Sequence, residues 1–283
     1  MSHAASASSV SGPPSAPAAP SSISASGSAS TSSTEGPGRG GSRYRLLIFD
    51  LDGTLIDSAP DLCTALGRAL GERGLPQPDL LTTRRLVGEG QRVLIERALA
   101  WAGLDPDTPG LVEEVLPRFR LHYSEHLCER TTVYPGVEAA LGALPRPQAV
   151  ATNKPGAWAR RLVESLRIGG SLSWVLGEDD VGARKPDPRL LLHIAALAGV
   201  RPEEALMIGD SRIDLRAAAA AGMDVALCTW GYGDAATLAE ARAADREPSS
   251  SAPSALRRGT AMRPYLLDSI EQLAACLTGA TGG

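Results

Sequence analysis

The chain has 283 residues, 43% hydrophobic and 21% charged, with a formal net charge of −4. That length supplies a core for one large domain or two modest ones, and the slight acidity lacks the basic footprint of a nucleic-acid binder. Cys63, Cys128, Cys228 and Cys276 have no metal-ligand spacing and read as reduced thiols of a cytoplasmic protein. No stretch approaches the apolar length of a membrane span, and the first residues lack the pattern of a secretory signal.

Residues 1–43 are Ser, Ala, Pro and Gly with almost no large apolar side chain. Such a segment cannot bury enough surface to offset its ordering entropy, and a disordered tail is predicted. The apolar run from Leu46 to Phe49 follows, with no polar residue for a solvated face, and predicts a strand inside a parallel sheet. It ends in two carboxylates, Asp50 and Asp52, followed at once by Gly53. Residues 59–132 read as helical: Leu62, Leu66, Ala69 and Leu70 share one helix face, 93–99 forms another helix, and 111–127 a third despite Pro117. Strands return at 148–152, 205–210, 225–229 and 265–268. Helices are predicted between and after them at 137–144, 157–166, 188–198, 213–221 and 269–277. This alternation predicts an α/β fold, a Rossmann-like, mostly parallel sheet formed by 44–58 and 133–283, with 59–132 inserted as a small helical cap. The 236–262 stretch reads as a helix fragment and a loose loop.

Ligands of open α/β sheets bind at the carboxyl ends of the strands. Four sets of polar residues fall there: Asp50 with Asp52; Thr152, Asn153 and Lys154; Lys185 on a connection; and Asp210 with Asp214. Two like charges as close as Asp50 and Asp52 call for a cation, a proton or a phosphoryl group. Carboxylate oxygens suit Mg²⁺, and a lysine with a hydroxyl or amide suits phosphate oxygens. The set describes phosphoryl transfer to a carboxylate through an aspartyl-phosphate.

These segments resemble a known family. Asp50-Leu51-Asp52-Gly53-Thr54-Leu55 resembles the first motif of the haloacid dehalogenase (HAD) superfamily. Thr152-Asn153-Lys154, Lys185-Pro186-Asp187-Pro188 and Gly209-Asp210-Ser211-Arg212-Ile213-Asp214 resemble the second, third and fourth, in the same order. Within the superfamily, Arg84 to Gly90, Val93 to Leu99, Thr132 to Val137 and Trp230 to Gly233 are similar to bacterial phosphoglycolate phosphatases.

The resemblance implies a Mg²⁺-dependent phosphatase that hydrolyses 2-phosphoglycolate. Asp50 is then the nucleophile and Asp52 the general acid and base. The metal is held by Asp50, Asp210 and the backbone carbonyl of Asp52. Thr152, Asn153 and Lys185 bind phosphate, Asp214 orients Lys185 or binds metal through water, and Gly53 shapes the turn toward the cap. A phosphatase of another small ester, such as a sugar phosphate or nucleotide, and a sugar phosphomutase share the four core motifs. A non-catalytic binding protein on this fold is expected to have lost one of the core residues, and a dehalogenase would need neither Asp52 nor Asp210. The expected partner is a small phosphorylated metabolite, with no nucleic acid or membrane, in a monomer or homodimer. Lys154, Asp57, Glu178, Asp179 and Asp187 read as surface or capping residues. Arg84, Arg85 and Glu89 read equally as substrate-gating residues or a solvated cap face, and Trp101, Trp158, Trp174 and Trp230 as packing.

Overall fold

The computed structural model describes residues 43–144, 147–246 and 264–278. The tail to residue 42, and the predicted loop beyond residue 246, lie outside the described residues. The described chain begins with β1 (Leu46–Phe49) and β2 (Ile56–Asp57). Four helices follow, α1 (Ala59–Gly71), α2 (Leu80–Leu86), α3 (Gln91–Trp101) and α4 (Leu111–Glu125), then β3 (Thr132–Val133). Next come α5 (Val137–Ala143), β4 (Gln148–Ala151), α6 (Gly156–Ser165), β5 (Leu172–Leu176), α7 (Glu178–Val181) and α8 (Arg189–Ala198). The described chain ends with β6 (Ala205–Gly209), α9 (Arg212–Ala221), β7 (Asp224–Cys228), α10 (Ala235–Arg246), β8 (Pro264–Leu267) and α11 (Leu273–Thr278).

Six strands form one parallel sheet in the order β5-β4-β1-β6-β7-β8. β1 lies near its centre, and every residue of β1 is buried. Successive side chains of a strand point to opposite faces. Leu46 and Ile48 accordingly pack with Leu190, Ile194 and Ala218 from α8 and α9, while Leu47 and Phe49 pack on the other face with Leu141 and Leu162 from α5 and α6. That second face continues without a break into the helical insertion, through Leu66, Ile95 and Phe119. Sheet and insertion therefore share apolar contacts.

β5 was not foreseen. It is an edge strand whose residues are half-buried or exposed, so Leu172-Ser173-Trp174-Val175-Leu176 lacks the apolar continuity of the central strands. β2 and β3 were also missed, because two residues carry no periodicity. They pair antiparallel, Ile56 with Val133 and Asp57 with Thr132, where the chain leaves the sheet layer and returns. Asp61 in the first turn of α1 reinforces that junction. Its carboxylate accepts the backbone N–H groups of Glu129, Arg130 and Thr131, and the Thr131 hydroxyl.

Candidate active site

The carboxyl ends of β1, β4 and β6 lie side by side, as the parallel register demands. Asp50 follows β1. Its Oδ1 accepts the N–H of Leu51 at 2.7 Å and pairs with Lys185 Nζ at 2.9 Å. The same ammonium donates to Asp214 Oδ1 at 2.6 Å. Asp214 in α9 accepts the backbone N–H of Ser211 at 3.1 Å and its hydroxyl at 2.6 Å, which caps the helix. Both Asp214 oxygens are thus engaged, and Lys185 is fixed between two carboxylates. Carboxylate oxygens of Asp50, Asp210 and Asp214 all lie within 4.8 Å of one another.

Burial pushes the Asp50 carboxyl up to about 7; Lys185 opposes that rise and Asp214 adds to it. Burial, followed by Asp214 and Asp50, drives Asp210 well above the ordinary carboxylate range. Burial works against the charge of Lys185, but Asp214 and Asp50 outweigh it and hold the ammonium charged. One lysine cannot balance three clustered carboxylates, so ionising all three is costly, a cost that a cation would offset.

The shape of the corner suits such an ion. Gly53 has φ +86°, and a Cβ there would stand 2.4 Å from Asp210 Oδ2. A Cβ on Gly231 would meet the same oxygen at 2.4 Å. Two glycines therefore let backbone close around the carboxylate. The Tyr232 N–H donates to Asp210 Oδ2 at 2.5 Å and the Thr54 hydroxyl to Oδ1 at 3.3 Å. Oxygen donors, neutral backbone cover and excess negative charge fit a hard divalent cation held by Asp50 and Asp210. Trp230, read as packing, also donates its indole N–H to the Thr54 carbonyl at 3.2 Å, tying this turn to the first motif.

Asp52 faces a different set of partners. Its Oδ1 accepts the Ser58 hydroxyl and the Lys154 ammonium, the latter at 2.6 Å. Ser58 thus makes no cap bond to α1, whose first N–H, that of Ala59, goes instead to Asp57 Oδ1 at 3.3 Å and the Tyr232 hydroxyl at 3.0 Å. Lys154 was read as a surface or capping residue, and the structure corrects this. It is 7% exposed, donates to the Tyr123 hydroxyl at 2.8 Å, and stands 5.1 Å from that ring's centroid. Burial opposes its charge, while Asp52 and Tyr123 more than compensate and keep it protonated. Tyr123 belongs to α4, so the insertion contributes directly to the surroundings of Asp52.

Thr152 and Asn153 are buried at the end of β4. Thr152 Oγ1 accepts the Lys154 N–H at 3.2 Å. The Asn153 carboxamide, expected to hold phosphate, is engaged with backbone instead. It accepts the Lys185 N–H at 2.7 Å and donates to the Lys185 carbonyl at 2.9 Å and the Gly88 carbonyl at 3.1 Å. It therefore clamps the lysine loop and holds the α2–α3 connection over the sheet.

Asp50, Asp52, Thr152, Asn153 and Lys154 line one cavity, roofed by Val87, Gly88, Gly90, Gln91, Leu94 and Phe119 of the insertion. Arg84, Arg85 and Glu89 line a separate outer crevice. Asp57 caps α1 by accepting the Ala59 N–H at 3.3 Å, and it also pairs with Arg84 at 2.6 Å and accepts the Tyr232 hydroxyl at 2.7 Å. Asp187 and Asp179 behave as cappers, accepting the N–H groups of Arg189 and Gly156.

Fold and site together define an α/β hydrolase built on an acidic centre at the edge of a parallel sheet. Comparison with known proteins agrees: the haloacid dehalogenase-like hydrolase model matches residues 44–222. The chain belongs to the haloacid dehalogenase-like hydrolases. It is 43% identical over 197 residues to a phosphoglycolate phosphatase of Pseudomonas putida, a match covering 68% of this chain and 72% of that protein. It is 40% identical over 201 residues to phosphoglycolate phosphatase 1 of Pseudomonas aeruginosa, covering 69% and 73%. A crystal structure described as a predicted phosphoglycolate phosphatase from Haemophilus somnus superposes with a TM-score of 0.68 at 28% identity, covering 83% of this chain and 98% of that one. None of the described helices is long and apolar enough to cross a membrane.

Proposed function

We propose that this protein is a Mg²⁺-dependent phosphatase that hydrolyses 2-phosphoglycolate to glycolate and phosphate through an aspartyl-phosphate at Asp50. The observation that carries this reading is the convergence of Asp50, Lys185, Asp210 and Asp214 at one sheet edge, with Asp52 turned toward the cavity beside it. The substrate follows the relatives named phosphoglycolate phosphatase at 40% and 43% identity. It also suits a cavity walled in large part by the apolar side chains of Leu62, Val87, Leu94, Phe119 and Trp158, which offer no partners to the hydroxyls of a sugar.

Asp50 attacks phosphorus, and its Oδ1 is already oriented by the Leu51 N–H. Lys185, locked by Asp214 and by the Asn153 clamp, neutralises charge on both Asp50 and the phosphoryl oxygens. Asn153 enters this scheme through Lys185, and the Thr152 hydroxyl, which lines the cavity with Asp50, binds a phosphoryl oxygen. Asp52, held by Ser58 and Lys154, protonates the leaving alkoxide and then takes a proton from the water that hydrolyses the aspartyl-phosphate. Asp50, Asp210 and the Asp52 carbonyl would hold Mg²⁺, which would supply charge neutralisation at the phosphoryl group. Residues 59–132 act as a cap that excludes bulk water from the cavity. We place the enzyme in the cytoplasm, in keeping with the free thiols of Cys63, Cys128 and Cys228.

A panel of phosphate esters assayed with and without Mg²⁺ tests this reading. Metal-dependent phosphate release that peaks at 2-phosphoglycolate supports it, and a peak at a hexose phosphate or nucleotide overturns the substrate.

A further inference from the structure

The roof of the cavity contains a feature that the hydrolytic scheme does not use. α3 begins there, and its N-cap, Gly90, supplies no side-chain acceptor for the first N–H groups. The amino end of a helix carries partial positive charge and favours an anion.

A second observation points the same way. Gln91, the first residue of α3, is 8% exposed and lines the cavity. Its Oε1 accepts the guanidinium N–H of Arg120 at 2.7 Å. Arg120 has only donors to offer, so the amide orientation is set, and Nε2 is left as a buried donor without a partner. A buried amide donor left unsatisfied is costly, and such groups are retained where a ligand completes them.

Lys154 stands on the floor of the same cavity and is the cation among its described lining residues. Two of its three N–H groups go to Asp52 and Tyr123, at 2.6 and 2.8 Å. The third has no protein partner among the described residues. Glu178 lies beside Gly90 but does not line the cavity.

We propose that the amino end of α3, the Gln91 amide and the Lys154 ammonium form a carboxylate subsite for the leaving group. The inference rests on the assignment of Asp52 as the acid that protonates the ester oxygen. Lys154 touches Asp52, so an anion that reaches Lys154 lies within a few bonds of that oxygen. The subsite thus selects phosphate esters of short 2-hydroxy acids, in which one carbon separates the ester oxygen from the carboxylate. The surrounding apolar walls strengthen these contacts and leave longer polar chains without partners.

The test is the ratio of kcat/KM for 2-phosphoglycolate to that for ethyl phosphate, which lacks only the carboxylate function. Gln91→Leu removes the donor. Gln91→Glu keeps an acceptor for Arg120 and presents a repelling oxygen, which guards against simple misfolding. Each is expected to lower the ratio by about tenfold or more, mainly through KM for 2-phosphoglycolate. Lys154→Met is expected to lower it at least as far. A structural defect lowers both substrates together and leaves the ratio where it was. An unchanged ratio in both Gln91 variants overturns the subsite while sparing the proposed phosphatase. A wild-type enzyme with no preference for 2-phosphoglycolate overturns the substrate and the subsite together.

Discussion

Lys154 Nζ lies 2.6 Å from Oδ1 of Asp52, and Tyr123 of the helical insertion holds the same ammonium from the other side at 2.8 Å. The carboxylate assigned to proton transfer is therefore fixed by groups from both the sheet layer and the insertion. Replacing Asp52 by Asn keeps the shape and removes the proton. With 2-phosphoglycolate, whose alkoxide needs that proton, kcat is expected to fall by roughly 10²–10⁴. With p-nitrophenyl phosphate, whose leaving group needs none, the first turnover is expected to persist while steady-state release slows. Rapid-quench measurement of both esters checks this, and equal loss in the first turnover of each contradicts the role.

Asn153 predicts a coupled loss of stability and rate. Its carboxamide makes hydrogen bonds to both the N–H and the carbonyl of Lys185. Asn153→Ala leaves these buried groups unpaired at a cost of about 1–3 kcal/mol. The midpoint of urea unfolding is expected to fall, and kcat with it, because Lys185 loses its anchor. A variant with the unfolding midpoint of the wild type and full kcat would dismiss the clamp.

Gly231 predicts a defect in cation binding. A Cβ there would stand 2.4 Å from Asp210 Oδ2. Gly231→Ala is expected to displace that carboxylate and weaken Mg²⁺ binding by about tenfold or more. Titration calorimetry measures it, with circular dichroism confirming the fold. Unaltered affinity would remove Asp210 from the metal set.

The buried acids predict a pH dependence of metal stabilisation. The Asp50 carboxyl is raised by burial to about 7. The unfolded chain releases this proton near its ordinary value of about 4. Between the two values the folded state holds more protons than the unfolded one, so the contribution of Asp50 to stability falls as pH rises. Mg²⁺ competes with that proton and restores stability once it has left. The rise in Tm on adding Mg²⁺ is thus expected to be larger at about pH 8 than at about pH 5.5. Equal rises would contradict a cation seated on these carboxylates.

The central sheet was readable because its strands are short apolar runs that end in polar residues. Leu46 to Phe49 and Ala205 to Gly209 are buried throughout, and the polar residues that follow them fall on one edge by parallel pairing. The edge strand β5 was hidden by its exposure, and β2 and β3 by their length. The role of Lys154 is hidden in the sequence because its partners lie 31 and 102 residues away in the chain, beyond the reach of any local pattern. Ser58 directly precedes the helical segment, yet its hydroxyl serves Asp52. Gln91 carried no signal at all, since a polar residue in the first turn of a helix is commonplace. Its meaning appears only when α3 is folded over the sheet.

The most direct measurement is chemical identification of the residue that accepts phosphorus. The enzyme is quenched in acid during turnover of 2-phosphoglycolate, treated with labelled borohydride to reduce any acyl-phosphate, and digested for peptide mass analysis. Label is expected as homoserine at position 50 and at no other carboxylate. Turnover without label, or label at Asp52, would contradict it.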